Sequence, residues 1–383
     1  MANLLAANPS VGTVTPSQPQ TTVAKPGSSA PFNRVSFRSS QLGPTILNAA
    51  AFGAVNNTSM KAVPGYLHAI RFDVVAAGGA NATTNTVGAA ADAPYNAVSR
   101  LTVRDPGGTQ FFDADGYMWY LNNKYTGQVG ILGSGDSSKV PSFSNFSTGA
   151  ATTDTGDFTW SPILPIALRD DGYCALAADN ASAQSDMQVT LAAATAVYST
   201  SPSTVPTITV KTKEQFWVMP AEDPTLSPVD LGSSAQFFQK NSETFNSGFQ
   251  QIRIQGINNW VHTLILVLRD ANNVRQDNWP TDDLQLVVDG FVRKYESLNE
   301  RADIMYNEFL SSRETGVIVY TFRRSLLPAV SNFDSYDDLL LTTPATNLVI
   351  QGTFGSTGTG PFTIQAGIGM LVPVGPIPYM TAA

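Results

Sequence analysis

Very few residues in this 383-residue chain are of the types that do chemistry. There are two histidines, His68 and His262, and one cysteine, Cys174. A single cysteine excludes an internal disulfide framework, a Cys-based zinc finger and an iron–sulfur centre. Two histidines exclude most His-rich metal sites and leave few bases for a nucleophile–His–carboxylate triad. His262 lies in the apolar run 261–268 and His68 in a similar one, where a buried, satisfied histidine is expected. Cys174 has no sequence-near histidine or basic pattern to lower its pKa.

Carboxylates are more numerous. Asp113-Ala114-Asp115-Gly116 resembles the opening of a calcium loop, but the twelfth position from Asp113 is Lys124, where a bidentate Glu is needed. A turn and a helix cap are the expected roles. Asp170/Asp171, Glu222/Asp223, Asp282/Asp283 and Asp337/Asp338 could supply the acid and base of a glycosidase. Sequence neighbours point apart on a strand, however, and all four pairs sit beside turns. Two carboxylates from distant strands stay open as a glycosidase pair. The Gly-rich stretches 355–360 and 130–139 do not match the phosphate-cradling G-x-x-x-x-G-K-[ST], and no G-x-S-x-G elbow occurs. The expected sets of catalytic residues, cofactor-binding residues and metal ligands are therefore all empty.

Composition points the same way. Charged residues make up 14%, against about 25% in ordinary domains. Aromatics at 10% argue against disorder, and 30 Gly with 24 Pro argue against a helical bundle. The net charge of −8 is split: residues 1–72 hold Lys25, Arg34, Arg38, Lys61 and Arg71 with no Asp or Glu, so the remainder carries −13. From Leu339 onward there is no charged side chain, which suggests a final strand and tail held between copies of the chain. Residues 1–33 carry only Lys25, so nucleic-acid packaging by a dense basic arm is not expected. Dispersed basic groups fit a weak attraction to lipid headgroups or neighbouring subunits. The N-terminus has no basic n-region or apolar core, and the apolar 362–380 alternates and is interrupted by prolines. A soluble chain made in a reducing compartment is expected.

The elements that would position any site are strands. Residues 1–31 read as an extended polar arm. Short apolar stretches follow at 66–75, 98–104, 187–191, 207–210, 251–254, 261–268, 317–322 and 347–354, separated by turn-rich segments, as in a β-sandwich. Long loops are expected at 76–91 and 130–155. Two segments have helical spacing. One is capped by Asp115 and presents Tyr117, Tyr120, Leu121 and Tyr125; the other, 299–312, presents Ala302, Met305, Tyr306, Phe309 and Leu310. Emptying the second contact by Phe309→Ala is expected to cost about 3–5 kcal/mol.

The pattern repeats. Leu101-Thr102-Val103-Arg104-Asp105 and Leu266-Val267-Leu268-Arg269-Asp270 each end a strand before a turn, with a local Arg–Asp ion pair expected. Phe158-Thr159-Trp160 leading to Leu164-Pro165 matches Tyr320-Thr321-Phe322 leading to Leu327-Pro328 at nearly the same offset, and Ile70-Arg71-Phe72 pairs with Ile252-Arg253-Ile254. Two tandem copies of one β-sandwich are expected, at 32–200 and 206–380, joined near the polar, Pro-containing stretch 199–206.

This organisation resembles the double jelly-roll major capsid proteins of tectivirus-type viruses, which are tailless, icosahedral, double-stranded DNA viruses with an internal membrane. The residues that carry the resemblance are Val63-Pro64-Gly65-Tyr66-Leu67, Asn96-Ala97-Val98-Ser99-Arg100 leading to Arg104-Asp105-Pro106, the helix after Gly116, Asp230-Leu231 after a Pro-rich entry, and the helix at 299–312. It spans roughly residues 32–380 and rests on order and spacing. The resemblance implies an all-β fold of two tandem eight-stranded jelly rolls, each with a short helix in a late loop. It implies a structural protein and no enzyme, with no cofactor. Three copies would form a homotrimer of pseudo-hexagonal outline that tiles an icosahedral shell, the N-terminal arm facing the internal membrane or genome. The partners implied are further copies of the chain, minor capsid and vertex proteins and an internal membrane, with no specific nucleic-acid sequence. The implied location is the virion, after synthesis in the host cytoplasm. Deleting residues 1–30 is then expected to leave a folded trimer and impair shell assembly. The alternative is a carbohydrate-binding or carbohydrate-hydrolysing β-sandwich protein such as a viral spike or adhesin. A sugar site usually needs clustered exposed tryptophans, and only Trp279 of the five sits in a clear loop.

Overall fold

The structure is a computed structural model that describes residues 38–82, 86–126, 155–167, 176–177, 184–218, 236–257, 259–309, 312–322 and 339–372. The expected arm, Cys174, the pairs Asp170/Asp171, Glu222/Asp223 and Asp337/Asp338, the Leu327-Pro328 match and most of the 130–155 loop lie outside the described residues.

The first group of strands is β1 (Arg38–Ala50), β2 (Val55–Ser59), β3 (Gly65–Ala77), β4 (Gly88–Ala89), β5 (Val98–Arg104), β6 (Gln110–Ala114), β7 (Phe158–Trp160), β8 (Ile163–Pro165), β9 (Leu176–Ala177), β10 (Asp186–Leu191), β11 (Tyr198–Thr200) and β12 (Thr207–Val218). Helix α1 (Gly116–Thr126) follows β6, and the short α2 (Ala194–Val197) follows β10. The second group is β13 (Gln236–Phe245), β14 (Gly248–Ile254), β15 (Trp260–Arg269), β16 (Leu284–Val288), β17 (Phe291–Glu296), β18 (Val317–Thr321), β19 (Leu340–Leu341), β20 (Leu348–Phe354) and β21 (Phe362–Leu371), with α3 (Leu298–Phe309) after β17.

Sheet pairing gives both groups the same plan. β7, β8 and β9 all pair antiparallel with β3 and act as one broken sixth strand. The ribbon β4–β11 and the short β19 are additions to the plan. In each group the first, eighth, third and sixth strands form one sheet, β1-β12-β3-β7 and β13-β21-β15-β18. The second, seventh, fourth and fifth form the other, β2-β10-β5-β6 and β14-β20-β16-β17. That order is the eight-stranded jelly roll, present twice. The edge strand β6 then pairs in parallel with β13, which joins one sheet of the first roll to one sheet of the second.

The pairing corrects several expectations. β12 lies between β1 and β3, so the strand directly after 199–206 belongs to the first roll, and the chain passes to the second roll only after Val218. The polar, Pro-containing stretch is a turn within the first roll. The Leu101–Asp105 and Leu266–Asp270 matches also fall on non-equivalent strands, since β5 is a fourth strand and β15 a third. Their likeness comes from turn chemistry. Asp105 N–H donates to Thr109 O and its Oδ1 accepts Thr109 N–H; Asp270 does the same with Val274, at 2.8–2.9 Å throughout. Neither aspartate needs its neighbouring arginine. Arg269 instead reaches across to the first roll, as described below. Ile70-Arg71-Phe72 and Ile252-Arg253-Ile254 are likewise on a third and a second strand. Phe158-Thr159-Trp160 and Tyr320-Thr321-Phe322 do both belong to a sixth strand that follows a helix, but out of register: Thr321 faces Thr263 as Pro165, not Thr159, faces Ala69.

The correct register of the repeat is marked by the two histidines. Along β3, Leu67 faces Phe216 and Ala69 faces Gln215, leaving His68 as an extra, bulged residue. Along β15, Val261 faces Met370 and Thr263 faces Gly369, leaving His262 in the same place. Both bulges turn a carbonyl to the end of the sixth strand. His68 O accepts Ile166 N–H at 3.0 Å and Ala167 N–H at 2.9 Å, and His262 O accepts Phe322 N–H at 3.0 Å. Tyr66-Leu67-His68-Ala69-Ile70 thus superposes on Trp260-Val261-His262-Thr263-Leu264 in role.

Burial follows from this layering. Leu264, Leu266, Leu268, Ile318 and Tyr320 fill the core of the second roll. The alternate residues Ile265, Val267, Val317 and Val319 face the other way and join the first roll's core with Phe238 and Met305. β15 and β18 are therefore apolar on both faces, which explains their unbroken runs. Within the charge-free C-terminal stretch, β21 sits between β13 and β15 of its own chain. α1 presents the expected face. In α3, Met305 is buried but Tyr306 is exposed, Phe309 is half-buried, and Arg301 takes a buried place. Phe309 meets Tyr125 of α1 edge-on at 5.0 Å, so it belongs to the contact between the rolls and not to a helix–sandwich core.

Candidate functional site at the seam between the rolls

Where the rolls meet, the sheet is continuous and the helix α1 lies over it. Phe112 of β6 stacks on Phe238 of β13 with ring centres 5.6 Å apart. Asp115 caps α1 by accepting Met118 N–H at 2.7 Å, the expected cap, and its second oxygen pairs with Lys240 of β13. A carboxylate at a helix N-terminus is favoured by the helix dipole. Met118 reaches down onto Gly367 of β21. A side chain there would meet the Met118 sulfur and come within 2.8 Å of the Phe238 ring, so glycine is what lets the helix approach the sheet.

A ring of charge and hydroxyl surrounds these apolar contacts. Asp92 of the first roll accepts from Arg269 Nη1 at 2.5 Å and Arg275 Nε at 2.7 Å. Glu314 of the second roll accepts from Tyr117 OH at 2.7 Å, Tyr120 OH at 2.8 Å and Lys124 Nζ at 2.6 Å. Arg269 and Arg275 lie over the Tyr117 ring at 5.2 and 4.9 Å, and Tyr95 stacks on Tyr120 at 3.9 Å. The bonds to Asp92 from Arg269 and Arg275 and those to Glu314 from Tyr117, Tyr120 and Lys124 pass between the rolls, which locks their relative position as charge-assisted bonds do.

Burial alone would raise the Glu314 carboxyl, but Lys124 and the hydroxyls of Tyr117 and Tyr120 outweigh it and hold the group below its ordinary value. Tyr117 and Tyr120 are pushed up, first by burial and then by Glu314, so they stay protonated donors. At Asp277 burial is likewise outweighed, by the fork of Arg313 at 2.5 and 2.6 Å and by Gly316 N–H. A carboxyl depressed on folding contributes stability above its unfolded pKa and loses it as pH falls through the folded value. Glu214 and Glu308, raised by burial, contribute with the opposite sign. Acid is therefore expected to weaken the seam: chemical denaturation should show lower stability at about pH 3 than at about pH 7, with a smaller drop in Glu314→Gln. An unchanged drop in that variant would rule out Glu314 as a contributor.

The described residues singled out by sequence are held by local contacts. Asp113 takes a two-point bond from Arg100 at 2.8 and 2.7 Å, and no group of three or more His, Cys, Asp or Glu able to hold a metal occurs among the described residues. Asp283 accepts Thr353 N–H and Oγ1–H, the latter at 2.9 Å, while Asp282 accepts from Thr281 at 3.3 Å. His68 Nε2 lies 3.1 Å from Arg38 and His262 Nδ1 2.9 Å from Thr263 Oγ1, both histidines buried. The seam residues Asp92, Arg275 and Glu314 carry no sequence signal, because each stands alone in a loop. All five tryptophans are described and none is exposed; Trp279 packs in the second core beside Phe354. Among the described residues no helix is long and apolar enough to cross a membrane.

No family model and no curated protein matches the sequence. Solved structures do. The STIV major capsid protein, from Sulfolobus Turreted Icosahedral Virus, aligns with a TM-score of 0.58 at 11% identity, over 91% of this chain and 99% of its own. VP54 of PBCV-1 aligns at 0.57 and 10% identity, over 88% and 93%. The major capsid protein P2 of bacteriophage PM2 aligns at 0.51 and 9%, over 88% and 99%. The chain has the double jelly-roll fold that these major capsid proteins have.

Proposed function

We propose that this protein is a structural major capsid protein of an icosahedral virion, and not an enzyme. The observation that carries the reading is the doubled strand order fused by a continuous sheet, shared over at least 88% of the chain with capsid proteins of three viruses. The two rolls are 38–218 and 236–371. Three copies form a trimer of pseudo-hexagonal outline, because six similar rolls side by side make a near-hexagonal block that tiles a facet. The N-terminal arm lies toward an internal membrane or the genome, on the side of the mildly basic segment 1–72, and the acidic body lies outward. Minor capsid and vertex proteins complete the shell, and the chain is made in the host cytoplasm. The absence of an exposed tryptophan speaks against the sugar-binding alternative.

Size-exclusion chromatography with light scattering tests this. A trimer is expected at micromolar concentration, and a persistent monomer would overturn the reading. Deleting residues 1–30 should leave the trimer and impair shell assembly, seen by negative-stain imaging.

A further inference from the structure

We propose that β17 and the outer face of α3 receive strand β1 of a second copy, in the register by which β6 receives β13 inside one chain. The inference rests on the trimer reading and specifies its contact.

The argument is the internal repeat. β6 and β17 are both fifth strands, and β1 and β13 are both first strands. Inside the chain β6 is covered by β13, while among the described residues β17 and β1 each end a sheet. The fourth–fifth pairings align residue by residue: Leu101, Thr102 and Val103 face Ala114, Asp113 and Phe112, and Leu284, Gln285 and Leu286 face Glu296, Tyr295 and Lys294. The helices then start in step. Asp115 caps α1, and Ser297 caps α3 through Glu300 N–H to Ser297 Oγ at 3.2 Å and Ser297 N–H to Glu300 Oε2 at 2.7 Å. Trp119 and Arg301, one turn on, are both buried. By this alignment Asn299 and Tyr306 stand where Tyr117 and Lys124 grip the second roll, yet both are exposed.

The uncovered twin carries exposed apolar side chains beside Arg293 and Lys294. Phe291, Val292 and Tyr295 on β17 and Tyr306 on α3 are 74, 52, 63 and 55% exposed. Four of the nine exposed large hydrophobic residues among the described residues thus lie on this edge strand and the helix after it, Val292 and Tyr295 on one side of the sheet with Val287 and Gln285, and Phe291 on the other with Val288. Its mate is equally specific. The bulges at His68 and His262 align β12 with β21, and through them β1 with β13. Ser40 faces Gln215 and Leu42 faces Lys213, as Phe238 faces Gly369 and Lys240 faces Gly367. Leu42 therefore occupies the position of Lys240 and is 77% exposed, the most exposed large hydrophobic described. The Asp115–Lys240 ion pair of the internal seam has Ser297 and Leu42 in its place, so the contact between copies is apolar where the internal one is charged. The expected register sets Lys294 opposite Ser40 and Tyr295 opposite Gln41. A head-to-tail contact of this kind closes into a ring when the rotation is right.

Paired cysteines test the surface in the full chain carrying Cys174→Ala. Tyr295→Cys with Gln41→Cys should give covalent dimers and trimers on a non-reducing gel after mild oxidation. Tyr295→Cys with Phe249→Cys, exposed on β14, should not. A second measurement uses exposed positions that leave the fold alone: Leu42→Asp with Tyr306→Asp should raise the trimer dissociation constant at least about tenfold, at unchanged circular dichroism. A trimer that neither cross-links at 295–41 nor responds to the aspartates would overturn the surface and leave the trimer reading standing. A monomeric parent protein would overturn the trimer reading and the surface with it.

Discussion

Asp92→Ala is expected to destabilise the chain by about 3–5 kcal/mol, because it removes one partner from a buried ionic cluster. Asp92 is 7% exposed and Arg269 4%, so neither charge is well solvated. The aspartate is the meeting point of two guanidinium groups, at 2.5 and 2.7 Å. Without it, Arg275 keeps Glu314 at 3.5 Å, whereas Arg269 keeps only the neutral acceptors Gln365 Oε1 at 2.9 Å and Asn273 O at 3.0 Å, and the two like charges still lie over the same Tyr117 ring. The cost is that of stranded charge, not the net worth of the pair. The double variant Asp92→Leu with Arg269→Met should therefore recover much of the loss, since an apolar replacement of a whole buried pair is often near neutral. Urea denaturation of the two variants decides it. A loss under about 1 kcal/mol for Asp92→Ala would show that the rolls are held by the apolar seam alone.

Trp119→Ala should cost as much, about 3–5 kcal/mol, for a different reason. Trp119 is 1% exposed and sits among Phe72, Phe112 and Trp160, with ring centres 4.8, 5.9 and 5.3 Å away. Alanine would leave a large void under α1 that rigid aromatic neighbours cannot fill. The indole N–H also donates to Ile163 O at 3.0 Å, the start of the broken sixth strand. Trp119→Phe keeps most of the volume and loses that bond, so a loss of about 1–2 kcal/mol is expected there. Thermal unfolding followed by calorimetry would measure both. Equal losses in the two variants would mean that the hydrogen bond, and not the packing, dominates. The twin position in the second roll holds Arg301, paired with Glu308 at 3.0 Å, so the same helix seat can be filled by an aromatic or by an ion pair.

What could be read from sequence depended on where each strand lies. β3, β5, β10, β15, β18, β20 and β21 were legible because their apolar residues alternate or run together. β1, β13 and β17 were not: they contain RSSQLG, QKNSET and RK, the polar composition of strands with one edge or face in solvent. The doubling was legible, but its register was not. Two of the three sequence matches joined non-equivalent strands, because an apolar strand ending in Asp before a turn recurs wherever that turn is needed. The residue equivalence that sets the register, His68 with His262, was in none of those matches and is invisible without the bulge that both residues form.

Composition and patterning by themselves determined the fold class, the presence of two units and the helix after Asp115. Those properties are local: periodicity, capping and residue inventory act over a few positions. Tertiary structure alone decided that β12 closes the first roll, that Arg269 serves the neighbouring roll and not Asp270, and that Asp92 and Glu314 anchor the seam. These depend on strand pairings and ion pairs that bring distant residues together. Such contacts leave no periodic trace, because each partner is a single residue chosen by what faces it in space.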